Sequence, residues 1–168
     1  MAKLKIKKYG DPALRKRAEA VSEINEIIKE LASDMLETMY SASGVGLAAP
    51  QVGILLRFCV IDVDPNKKSP IVMINPEIIS GENKITAEEG CLSFPGFYGN
   101  VNRFENIIAG YTDLNGNRQE IKAQNFLAKA LQHEIDHLDA KLFIDYLPDW
   151  KRESIEKKIK RKKKAGDW

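Results

Sequence analysis

Cysteine, histidine and aromatic side chains are scarce in this chain of 168 residues: two Cys, two His, and Phe, Trp and Tyr together at 8%. Two cysteines cannot staple a disulfide scaffold, and a chain of this length buries enough surface to fold without one. Long apolar runs are also missing. The longest, such as Phe58-Cys59-Val60-Ile61, fall far short of the roughly 20 residues that cross a bilayer. The segment Met1–Tyr9 interleaves lysines with Leu4 and Ile6 and has no apolar core of the signal-peptide kind. Neither secretion nor a membrane association is expected, and a cytoplasmic location with reduced thiols is. Repeats and low-complexity linkers are absent, so residues 1–168 are read as a single domain.

A strong charge of either sign is lacking overall, the formal net charge being +2. Its distribution is uneven. Residues 151–168 hold nine Lys/Arg against three Asp/Glu, a local +6, which leaves the rest at −4. A basic tail on a mildly acidic body either touches a phosphate backbone or is a solvated helix end.

Apolar residues recur at helical spacing from about Ser22, a candidate N-cap, to Tyr40, through Ile24, Ile27, Ile28, Leu31, Met35 and Met39. Ser43–Gly53, with three glycines and a proline, reads as a loop. Strands are predicted at Arg57–Val63, Ile71–Asn75, Ile107–Tyr111 and Arg118–Ala123, the last two joined by a turn at Asn115-Gly116. A second helix is predicted after Asn125 to about Leu138, and a basic C-terminal helix over about 149–164. The segregation of strands and helices predicts an α+β fold: antiparallel sheets packed around a central helix, with a C-terminal helix.

The chemistry concentrates in Gln132-His133-Glu134-Ile135-Asp136-His137, which holds both histidines of the chain. Residues four apart stack on one helix face, so both imidazoles can reach one metal ion. Glu134, turned about 100° from His133, stays near that ion and can take a proton from water there. A catalytic site usually has three protein ligands and an open position. With no third histidine, the remaining ligand is a thiolate or a carboxylate. Cys91 is the better candidate, because Glu88–Gly96 reads as a turn-bounded segment. Cys59, inside a strand-like run, reads as a small buried hydrophobe. Glu89 is either a solvated charge or a carboxylate that orients a ligand histidine through its free ring N–H.

Three segments, Gly44-Val-Gly-Leu-Ala-Ala-Pro-Gln51, Glu89-Gly-Cys-Leu-Ser93 and Gln132-His-Glu-Ile-Asp-His137, together resemble the peptide deformylase family, in order and spacing. The flank Gly10-Asp-Pro-Ala-Leu-Arg15 and the C-terminal helix fit as well. The resemblance implies that Cys91, His133 and His137 are metal ligands and that Glu134 is the general acid/base. It implies that Gln51, through its side-chain amide, and Leu92, through its backbone N–H, hold the oxyanion. Gly46 is implied as a backbone contact to the substrate's formyl end, and Glu89 as the partner of a ligand histidine. The implied reaction is hydrolysis of the formyl group from the N-terminal formylmethionine of nascent polypeptides.

Donor chemistry alone favours zinc. The resemblance implies Fe²⁺, one per chain, with Zn²⁺ or Ni²⁺ as possible occupants of purified protein. It also implies a transient ribosome contact through Lys157, Lys158, Lys160, Arg161, Lys162, Lys163 and Lys164; no DNA partner is expected. Two positions depart from the family pattern. Ala140 stands where glycine is usual, which would strain the helix exit if φ is positive there. Lys129, one turn before His133, stands where many relatives are apolar, and its ammonium is expected to reach solvent. Two rivals make different predictions. A metallo-endopeptidase would take Glu153 or Glu156 as third ligand. A ribosome-associated module with a structural metal would need a fourth protein ligand, Cys59 or a carboxylate.

Overall fold

The computed structural model describes residues 2–168. Helix α1 spans Glu26–Ser41 and buries Ile28, Leu31, Met35 and Met39 of the expected stripe, together with Ala32, whereas Ile27 is exposed and Ile24 precedes the helix. It starts later than the sequence suggests. Asn25, not Ser22, is the N-cap, its Oδ1 accepting from the Ile28 N–H at 3.1 Å.

Five strands follow: β1 (Gly46–Ala48), β2 (Phe58–Ile61), β3 (Ile71–Gly90), β4 (Tyr98–Thr112) and β5 (Arg118–Gln124). They form one antiparallel sheet in sequence order. The loop reading of 43–53 is corrected here. Gly46–Ala48 pairs with Cys59–Ile61, and Ala49–Val52 forms a 3₁₀ turn. Three residues are too few to leave a strand signature, and tertiary pairing supplies what local preference does not.

Strands β3 and β4 also run far beyond the predicted Ile71–Asn75 and Ile107–Tyr111. Register shifts between Ile74 and Glu77 and between Ile78 and Ser80 absorb Pro76, so the proline interrupts the ladder without ending the strand. Asn75, at φ 49°, is clamped at the bend, because its side chain both accepts from the Val21 N–H (2.8 Å) and donates to the Val21 carbonyl (2.9 Å). The predicted hairpin turn is present. Gly116 takes φ 83°, and Asp113 Oδ1 accepts from the Asn115 and Asn117 N–H groups.

Helix α2 (Asn125–Leu138) lies at the centre and touches all five strands. One apolar cluster joins its Ala128, Ala130, Leu131 and Leu138 to Cys59, Ile61, Met73, Ile107 and Ala109 of the sheet. Cys59 is thus the buried hydrophobe the sequence suggested. Helix α3 (Asp149–Ala165) buries only Ile155 and Ile159. No described helix is long and apolar enough to cross a membrane.

The exit of α2 carries the strain foreseen at Ala140, whose φ is 61°. The Lys141 N–H donates to the Asp136 carbonyl (2.9 Å) and the Ala140 N–H to that of His137 (3.2 Å). This is the two-bond helix terminus that normally places glycine at the left-handed position. Helix α3 ends the same way with Gly166 at φ 77°. The strained exit is braced from the N-terminal turn Pro12–Arg15. Arg15 donates to both Asp145 oxygens (2.7 and 2.9 Å) and to the Ala140 carbonyl (3.3 Å).

Candidate active site

Helix periodicity puts His133 and His137 on one face of α2, with ring centroids 5.0 Å apart. The last residues of β3 carry Glu89 to the same place, and Cys91 begins the turn that follows. Ligand atoms of Cys91, His133 and His137 all lie within 4.8 Å of one another. The thiol sulfur is 3.5 Å from His137 Nε2. His133 Nδ1 lies 2.8 Å from Glu89 Oε1 and donates to that carboxylate, so its Nε2 is the nitrogen left for a metal.

The donor set fits a divalent ion. One thiol and two imidazoles converge, and burial disfavours charge on His137, whose pKa falls well below the usual value, aided by the neighbouring His133. A neutral imidazole is the ligating form. Glu134 stands beside the cluster, with Oε2 buried and without a protein partner. Burial raises its pKa to about 7, the effect of the nearby His133 being smaller and opposite.

The β1 segment and the 3₁₀ turn close the other wall. Gln51 is fixed by the backbone three residues before it: its Oε1 accepts from the Ala48 N–H at 2.9 Å, which turns Nε2 toward the thiol (3.5 Å) and Ser93 Oγ (3.1 Å). Leu92 follows Cys91 in the turn after β3 and lines the same cleft. At Gly46 a Cβ would meet Glu134 Oε1 at 2.5 Å, so the glycine makes room for the Glu134 carboxylate. The cleft encloses about 260 Å³ and is lined by Val45, Gly46, Glu88, Cys91, Phe126, Lys129, Ala130, His133 and Glu134, among others. Lys129 lies half-buried along its wall, with Nζ 5.6 Å over the Phe126 ring.

A network behind His133 was not foreseen. Arg103 of β4 is buried and grips both Glu89 oxygens (Nε–Oε2 2.7 Å, Nη2–Oε1 3.0 Å). Its Nη1 donates to Asp136 Oδ2 at 2.6 Å, and its guanidinium lies 4.7 Å over the Tyr146 ring, whose hydroxyl donates to the same Asp136 oxygen. Burial acts to raise the Glu89 pKa, but the hydrogen bonds from Arg103 and His133 outweigh it and hold Glu89 at about 2. Glu89 is therefore a held anion against His133 rather than a solvated charge. The signal was present: Gly99, Val101 and Arg103 alternate on the buried face of β4, and an inward arginine demands a carboxylate.

The rival third ligands lie elsewhere. The only group of three or more His, Cys, Asp or Glu ligand atoms close enough to hold an ion, among the described residues, is Cys91, His133 and His137. Glu156 on α3 accepts from the Tyr9 hydroxyl (3.5 Å) instead, and Glu153 is exposed. Among the described residues no fourth ligand joins the cluster, as a structural metal would need.

Comparison with known proteins agrees with this geometry. The profile of the polypeptide deformylase family matches residues 3–153. A peptide deformylase of Thermodesulfovibrio yellowstonii is 53% identical over 97% of this chain and 100% of its own length. The crystal structure of a peptide deformylase from Legionella pneumophila superposes with a TM-score of 0.93 at 45% identity, covering 98% of each chain. That of the Ehrlichia chaffeensis peptide deformylase in complex with actinonin gives a TM-score of 0.92 at 40% identity, over 96% of this chain and 98% of that one. With a profile that spans nearly the whole chain and a cysteine–histidine cluster in the fold those relatives share, the chain belongs to the peptide deformylase family.

Proposed function

We propose that residues 1–168 form one catalytic domain that removes the formyl group from the N-terminal formylmethionine of nascent polypeptides, releasing formate. The observation that carries this reading is the convergence of Cys91, His133 and His137 beside the buried Glu134, within a cleft. A divalent ion held by those three donors supplies Lewis acidity to the formamide oxygen and makes a nearby water more acidic.

The protein groups do the rest. The Glu134 carboxylate takes a proton from the attacking water as its oxygen bonds to the formyl carbon. Glu134 then returns that proton to the amine nitrogen as the C–N bond breaks, leaving formate and a free N-terminal methionine. A pKa of about 7 suits a group that must both accept and donate. As the formyl carbon becomes tetrahedral its oxygen gains charge, and the Gln51 amide N–H and Leu92 backbone N–H donate to it. Gly46 contacts the formyl end through its backbone, where a side chain would displace Glu134. Glu89, held by Arg103, keeps His133 in the tautomer that leaves Nε2 for the ion.

The native ion in this reading is Fe²⁺, a choice that rests on the family resemblance, since the donor set suits zinc as well. Metal analysis of protein purified without oxygen tests it, together with loss of activity in air. The site of action is the cytoplasm, on chains still at the ribosome. Lys157, Lys158, Lys160, Arg161, Lys162, Lys163 and Lys164 are all exposed on α3, while Ile155 and Ile159 hold its other face, as an RNA-facing helix requires. Replacing Lys157, Lys160, Arg161 and Lys164 with serine should weaken ribosome binding at low salt; unchanged binding would remove that contact from the reading.

The test of the activity is formate release from a formyl-methionyl tripeptide by protein loaded anaerobically with Fe²⁺ or Ni²⁺. Glu134→Ala should keep its metal and release no formate, whereas Cys91→Ala should lose the metal. A folded, metal-replete wild type that releases no formate would overturn the assignment.

A further inference from the structure

The cleft is too small for a whole peptide. Its volume of about 260 Å³ lies below the range of about 300–1,000 Å³ usual for small-molecule sites. It therefore takes the formamide and one side chain, and the rest of the substrate leaves across the rim. Two opposite charges that line the cleft also reach solvent, Glu88 from β3 and Lys129 from α2. Neither forms an ion pair among the described residues.

Their surroundings differ. Glu88 is exposed, so water and salt screen it on all sides. Lys129 is half-buried: its stem lies along the cleft wall, and its Nζ stands 5.6 Å over the ring of Phe126, itself 51% exposed at the cleft. The ring shields the ammonium from water on one side and, by cation–π attraction, holds it at the opening. Lys129 is thus the less screened and better positioned of the two charges.

We propose that Lys129 is a specificity-determining residue, selecting formylmethionyl peptides that carry an acidic side chain at their second or third residue over those with a basic one there. The inference rests on the deformylase reading, which supplies the substrate and its orientation. Because the contact lies away from the reacting carbon and is present before and during the reaction, its effect falls on KM rather than kcat.

The test compares formyl-Met-Asp-Ala with formyl-Met-Lys-Ala, and formyl-Met-Ala-Asp with formyl-Met-Ala-Lys, by formate release at low ionic strength. Wild type should favour the acidic member of at least one pair by about fivefold in kcat/KM, the upper range for a partly exposed charge pair. High salt should shrink that preference. Lys129→Met, which keeps the stem and drops the charge, should bring the ratio to about one, and Lys129→Glu should reverse it. Each ratio is taken within one preparation, so any loss of folded protein cancels. Calorimetric binding of the deformylated products Met-Asp-Ala and Met-Lys-Ala should show the same order without turnover. Equal handling of both members of each pair by wild type, or a preference that survives in Lys129→Met, overturns the role of Lys129 while leaving deformylation standing. No formate from any peptide overturns the deformylase reading, and this inference with it.

Discussion

Adding one methyl group at Gly46 separates catalysis from folding in this protein. A Cβ there would lie 2.5 Å from Glu134 Oε1, 2.8 Å from Cδ and 2.9 Å from Cγ, all closer than non-bonded atoms tolerate. Gly46 pairs with Ile61 in the sheet, so its backbone is fixed. The Glu134 carboxylate is the free end of a flexible side chain beside an open cleft, and its Oε2 has no protein partner to lose. In Gly46→Ala, Glu134 therefore swings away. A displacement of about 1 Å at a catalytic group costs on the order of 100-fold in rate, and full loss of a general base 10²–10⁴-fold. Stability should fall less, by about 1–2 kcal/mol for a crowded core, or a few degrees in Tm at this chain length.

The assay is formate release on metal-loaded protein, with metal content and urea unfolding measured on the same samples. A kcat/KM at least 100-fold down with metal retained is expected. The double variant Gly46→Ala/Glu134→Ala isolates the contact. If the methyl group acts by colliding with Glu134, its stability cost should largely disappear once Glu134 is truncated. A Gly46→Ala enzyme within about threefold of wild type, or an undiminished stability cost in the double variant, refutes the reasoning.

Other consequences follow from the same geometry. Ala140→Gly should relieve the left-handed backbone at φ 61° and stabilise the protein by about 1 kcal/mol, raising Tm by about 2–4 °C in a thermal scan at fixed metal content. Arg103→Met leaves the buried Glu89 carboxylate without its cation, with only the His133 N–H still donating to it; a loss of about 3–5 kcal/mol in urea unfolding is expected. Metal affinity should also weaken about 10–100-fold by chelator competition, because Glu89, no longer gripped by Arg103, orients His133 less firmly. Burial acts to raise the Asp145 pKa, but bonds from Arg15 and the Leu142 N–H outweigh it and lower the value below that of a free carboxyl. A depressed pKa contributes stability above the unfolded value, near 4, that is lost as pH falls through the lower folded value. In this partly exposed pair the contribution is up to about 1 kcal/mol. The stability difference between wild type and Asp145→Asn should therefore shrink as pH falls from about 6 to about 3, and a constant difference would contradict the pairing.

The two-histidine part of the candidate metal site was legible because it is local. His133 and His137 stand four apart, and helical periodicity alone sets them on one face; a second helix after Asn125 and a hairpin at Asn115-Gly116 follow from equally local rules. The strain at Ala140 was legible too, once the helix end was located. Legibility failed where pairing across the sheet outweighs local preference. Gly46–Ala48 is a strand because Cys59–Ile61 lies beside it, and β3 continues past Pro76 because bulges leave the proline outside the ladder.

The sequence by itself determined which residue types can do the chemistry and how those on one helix turn are arranged, since bond geometry and helical repeat act over a few residues. Tertiary structure alone decided that Gln51, Cys91 and His137 converge from different elements, and that Glu89 is a held anion rather than a solvated charge. It also decided that Arg103, Asp136 and Tyr146 stand behind His133, and that Lys129 lines the cleft. The physical reason is one of range. Burial, ion pairing and the orientation of a side-chain amide depend on which distant segment lies alongside, and that is set by packing the sheet around α2.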